Sequence, residues 1–172
     1  HGNGNGNGNG HKISYSTMDF LQKDWPQPEY LIEGLIARNT PAMIVAMPHS
    51  LKSFFTIGLA YACSVATEKA LGRLVVKKPM RTMLVQVEEH GAEMKKRIKD
   101  FLATKQFVDI DPENVRIVPR EEFPSSGFTP KWAKKIVQEA VEFKTDLIVF
   151  DVALTAPQMA SLNVILRARI GV

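Results

Sequence analysis

Ala42-Met43-Ile44-Val45-Ala46-Met47-Pro48-His49-Ser50-Leu51-Lys52-Ser53-Phe54 is the stretch on which the reading of this chain turns. An apolar run suited to a buried strand breaks at Pro48, and Lys52-Ser53 opens a helix-forming segment. Strand, loop, Lys-Ser, helix is the layout of a phosphate-binding loop with the pattern G-x-x-x-x-G-K-[ST]. Laid on residues 46–53, the pattern finds its Lys and Ser but neither glycine: Ala46 holds the first glycine position and Leu51 the second. Such a loop turns backbone N–H groups inward around phosphate oxygens, with the helix N-terminus behind them. Ala46 adds one methyl group. Leu51 adds a branched side chain where the wrap is tightest, and a left-handed conformation there would cost roughly 1–2 kcal/mol. The expectation is weakened or lost nucleotide binding, and with it weakened or lost hydrolysis.

The rest of the chain supplies the frame. Residues 82–87 form an apolar strand ending on Glu88-Glu89. Residues 115–118 form a third strand, and residues 146–151 a fourth that ends on Asp151. Between them the 3.6-residue period marks helices over 52–70, 93–105 and about 130–143, with a last one over 158–170. In the first of these, Phe55, Leu59, Ala62, Cys63 and Ala66 share a face, broadened by Phe54 and Ile57. In the second, Met94, Ile98, Phe101 and Leu102 face inward and Lys95, Lys96, Arg97 and Lys99 outward. The third has Thr129 as N-cap, Pro130 at its first position and Trp132, Ile136, Val137, Ala140 and Val141 on one face. A short helical turn is expected over 17–23, a strand or tight strand pair over 30–36, and a short surface strand and turn over 74–79. Alternating strands and helices imply a mainly parallel sheet covered on both faces, a three-layer α/β/α sandwich.

At 172 residues the chain suits one domain, with a flexible tail or expression remnant over 1–12 and a single domain over 13–172. Net charge is +4, compatible with nucleic acid or an acidic partner but as readily a solvated surface. The single cysteine, Cys63, excludes an internal disulfide and a multi-cysteine metal site, and fits a buried thiol in a cytoplasmic protein. No apolar run reaches the roughly 18–20 residues of a membrane span, and no signal-peptide pattern opens the chain. Trp25 and Tyr30 read as core-edge packing rather than base-stacking platforms. His49 reads as an exposed loop position that a phosphate would also suit, and His90 as a strand-end surface residue. No His/Cys/carboxylate spacing suggests zinc.

Lys52 and Ser53, Glu88 and Asp151 all follow strand ends, and in a parallel α/β sheet ligands gather at the carboxyl ends of the strands. A nucleotide-hydrolysing site needs this set. These segments, with Trp25-Pro26-Gln27-Pro28-Glu29-Tyr30-Leu31-Ile32-Glu33-Gly34-Leu35-Ile36 ahead of them, resemble the RecA-like AAA ATPases of the hexameric replicative-helicase type, in particular the plasmid RepA-like group. The likeness runs over roughly residues 18–170. It implies a P-loop NTPase fold in which Met47, Pro48, His49, Ser50, Leu51, Lys52, Ser53 and Phe54 line the nucleotide. It further implies that Ser53 and Asp151 hold Mg2+, Glu88 is catalytic, and ATP is the cofactor. Assembly into a ring or filament and contact with DNA are implied as well. The missing glycines and a C-terminus that stops short of the family's later elements set against this an inactive scaffold, serving self-assembly or partner binding. A nucleic-acid binder using residues 95–99 is a third reading.

Overall fold

The computed structural model describes residues 14–38, 40, 42, 51–70, 74–104, 110–123 and 129–151. The expected strand over 42–47 and helix over 158–170, and the tail, fall outside these residues except for Ala42. In chain order the elements are α1 (Thr17–Gln22), the strands β1 (Tyr30–Ile32) and β2 (Ile36–Ala37), α2 (Lys52–Cys63), β3 (Thr67–Ala70), β4 (Leu74–Val76), β5 (Thr82–Gln86), α3 (Gly91–Ala103), β6 (Val115–Val118), α4 (Pro130–Phe143) and β7 (Leu147–Asp151).

β5 is the centre of a three-stranded parallel sheet in the order β6-β5-β7, and all five of its residues are buried. Alternation along β5 sends its side chains to opposite faces. Leu84 packs with Ile57, Ala60 and Tyr61 of α2 and Met94 of α3. Met83 and Val85 pack with Ile136 and Ala140 of α4 and with Phe123. The sheet is therefore sandwiched between α2 and α3 on one side and α4 on the other, the three-layer arrangement the sequence pattern implies. A third cluster joins Leu59, Ala62 and Cys63, near the end of α2, to Leu31, Ile32 and Ile36 of the β1–β2 hairpin and to Val76 and Met80. That hairpin turns through Gly34 at φ +68°, a conformation glycine takes without a Cβ penalty.

The helix expected over 52–70 stops at Cys63, and Thr67–Ala70 is an antiparallel strand on β4 instead. Two bonds end it, one local and one from across the β3–β4 hairpin. The Ser64 hydroxyl donates back to the Tyr61 carbonyl at 2.6 Å, and the Cys63 carbonyl accepts the Met80 N–H at 2.8 Å. β-Branched Val65 and Thr67 then favour the extended chain. The inward faces also shift. Phe54 and Phe55 are exposed, burial in α2 beginning at Thr56, and Ala66, Leu102 and Val141 are exposed too. β4 is less superficial than expected, since Val76 is buried. α4 has the expected bounds, with Thr129 accepting the Trp132 N–H at 3.4 Å and a left-handed Lys144 closing the helix. Among the described residues no helix is long and apolar enough to cross a membrane.

Candidate functional site

The parallel register sets Gln86, last residue of β5, beside Asp151, last residue of β7. Both lie at the carboxyl edge of the sheet, and α2 begins over that edge. The Lys52 ammonium stands 3.2 Å from Asp151 Oδ1 and 3.6 Å from Glu88 Oε2, bridging the two strand ends. Asp151 is 2% exposed. Its Oδ2 accepts from Gln86 Nε2 at 3.0 Å and lies 3.3 Å from the Thr56 hydroxyl. Its Oδ1 faces the ammonium and has no well-aligned hydrogen bond among the described residues. Burial alone would lower the Lys52 pKa, but the bonds and charges of Asp151 and then Glu88 outweigh it, and the ammonium is held above its usual 10.5.

Beyond Glu88 the chain is pinned twice. Glu89, largely buried, pairs with Arg97 of α3 at 2.6 Å, and the Arg97 guanidinium lies 5.4 Å from the centre of the Phe54 ring. Desolvation pushes the Glu89 carboxyl up, Arg97 pulls it down, and Glu93 and Asp151 add to the rise; it ends above 4.5. At the start of α3 the Gly91 N–H donates to both Glu121 oxygens, at 2.9 and 3.1 Å. This bond chiefly lowers the Glu121 pKa, and His90 stands 3.5 Å away. A Cβ at position 91 would meet Glu121 Oε2 at 2.8 Å, a contact that the half-exposed Glu121 side chain could relieve by moving its tip.

The family model of the AAA domain matches residues 11–156, most of the chain. The chain belongs to the AAA domain family. It is thus a P-loop nucleotide-binding domain related to the helicase-type ATPases. Neither a curated protein nor a solved structure matches it.

In this AAA domain Lys52, Glu88 and Asp151 come together as the strand-end pattern implies. Ser53 is half-buried one turn before Thr56, and its carbonyl accepts from the Thr56 hydroxyl at 2.9 Å. Phe54 turns to Arg97, and Met47, Pro48, His49 and Ser50 lie outside the described residues. Leu51 departs from expectation. Its φ of −75° and ψ of 28° are not left-handed, and its side chain is 75% exposed. The strain that a left-handed conformation would impose is therefore absent at this position. Leu51 also offers no side-chain cap, leaving the first N–H groups of α2 without one.

Thr56 and Gln86 escaped the sequence reading. Thr56 sits among the apolar residues of its helix and Gln86 inside an apolar strand, so each reads as a break in pattern. The usable signal was position: Thr56 is one turn past Ser53, and Gln86 closes the strand two residues before Glu88.

The family implies ATP and Mg2+, and the side chains fit them. Asp151 Oδ1 is a buried acceptor facing a cation, and Lys52 already lies between two carboxylates. No cluster of three metal-ligating side chains occurs among the described residues. Mg2+ needs none, since it is bound through one or two carboxylates plus phosphates and water.

Proposed function

We propose that this AAA domain binds ATP with Mg2+ at the carboxyl edge of the β6-β5-β7 sheet and hydrolyses it. The observation that carries the reading is the Lys52 ammonium held within ion-pair distance of both Asp151 and Glu88. Lys52 would engage the β- and γ-phosphates, and Ser53 and Asp151 would hold the metal. Glu88, half-exposed, would orient and deprotonate water. Mg2+, when bound, supplies charge neutralisation at the phosphates. The uncapped start of α2, with residues 47 and 49–54, would donate N–H groups to them, Pro48 having none to give. The unstrained backbone of Leu51 supports a working loop over the inactive scaffold suggested by its lost glycine. The replicative-helicase likeness extends the proposal to a cytoplasmic, DNA-associated homo-oligomer, a ring or a filament.

Calorimetry with Mg·ATP and Mg·ADP tests it. The expected result is binding in the parent protein and none in Lys52→Ala. Glu88→Gln should bind but lose about 100-fold or more in turnover. A parent protein that binds neither nucleotide would overturn the reading and leave a scaffold with the same fold.

A further inference from the structure

Gln86 is a buried amide at the end of a strand whose middle is apolar, and a polar group is costly there unless both of its ends are bonded. Both are. Nε2 donates to Asp151 Oδ2 at 3.0 Å, and Oε1 accepts the Glu88 backbone N–H at 3.2 Å. The two bonds fix the orientation of the amide, because a flipped group would set its oxygen against the carboxylate and its NH2 against another N–H. The amide thus ties the end of β7 to the turn that carries Glu88. The remaining donor to Asp151 Oδ2 is less dependable. The single Thr56 hydroxyl proton is shared between Oδ2 at 3.3 Å and the nearer Ser53 carbonyl at 2.9 Å.

We propose that Gln86 is a positioning residue that sets Asp151 and Glu88 relative to one another. By holding Oδ2 it turns Oδ1 toward the ligand side, where Lys52 now stands. By holding the Glu88 N–H it fixes the turn from which the Glu88 carboxylate reaches over the sheet edge. Its catalytic consequence rests on the ATPase reading above; the positioning itself does not.

Two near-isosteric variants separate its two ends. Gln86→Met removes donor and acceptor together. Gln86→Glu keeps an oxygen for the Glu88 N–H but sets a second buried carboxyl against Asp151, so that the two share one proton in place of the amide's neutral donor. Hydrogen exchange in the ligand-free protein reads the first function directly. The Glu88 amide should exchange at least 10-fold faster in Gln86→Met and within about 3-fold of the parent in Gln86→Glu, with the amides of α4 unchanged in both. Steady-state kinetics read the second: kcat falls at least 10-fold in both variants, while KM stays within about 3-fold. A Gln86→Met protein with parental exchange at Glu88 overturns the positioning role. Parental kcat in both variants overturns its catalytic consequence. If the parent protein binds no nucleotide, the ATPase reading fails, and the exchange of the Glu88 amide still decides whether Gln86 holds the turn.

Discussion

At Leu51 the backbone is more informative than the residue type. A glycine is required in a phosphate-binding loop where φ is positive, and here φ is −75°. Relief of a left-handed strain of about 1–2 kcal/mol would raise affinity roughly 5–30-fold. Leu51→Gly should therefore leave Mg·ADP affinity within about 3-fold of the parent by calorimetry; a larger gain would show that the side chain itself obstructs the ligand. Lys52 makes a second residue-scale prediction. Its pKa is raised in the fold, so its stabilising contribution is complete below 10.5 and disappears as pH climbs through the folded value. The melting temperature of Lys52→Met should lie below the parent by a near-constant margin from pH 7 to 9. The margin should close above about pH 10.5, as the parental ammonium deprotonates.

At the scale of elements, the turn between β5 and α3 depends on a pair that burial makes sensitive to pH. Glu89 resists ionisation because it is desolvated, and Arg97 is the group that opposes this. A raised carboxyl pKa means that the fold loses stability as pH rises from 4.5 through the folded value. Arg97→Met strips the counter-charge and raises the carboxyl further. It should cost about 1–3 kcal/mol at pH 8, and much less at pH 5, where Glu89 can take up a proton. Thermal melts at the two pH values check this; equal deficits would rule it out. α4 offers a simpler case: Thr129→Ala should cost about 1 kcal/mol in chemical denaturation, through loss of its cap. That helix was legible in the sequence because Thr129-Pro130 announces its start and its apolar positions keep one period. The end of α2 was not, because the bonds that stop it come from Ser64 and from Met80, the latter brought back by a hairpin. The site divides similarly. Lys52, Glu88 and Asp151 were legible as charges following strands, whereas Gln86 and Thr56 owe their meaning to Asp151, 65 and 95 residues away.

Over the whole molecule α2 is the shared member. It starts at Lys52, its middle packs on the sheet with Leu84, and its last turn packs on the β1–β2 hairpin. A ligand held at its first turn is thus linked to two of the three cores. At 100 times its dissociation constant, a nucleotide that binds the folded state alone adds about 2.7 kcal/mol. For a chain of this length that is a rise in melting temperature of about 5–10 °C. Mg·ADP should produce it in the parent and not in Lys52→Ala, as thermal melts would show. The far end of the same helix carries Cys63, the only cysteine of the chain, fully enclosed and with its thiol pushed up to about 12 by burial. At pH 8 only about one such thiol in ten thousand is ionised. A thiol-specific reagent must therefore wait for the enclosure to part. The protein carries its own stopwatch: the rate of alkylation at Cys63 times the breathing of the helix, and a nucleotide at Lys52 should make it run slow.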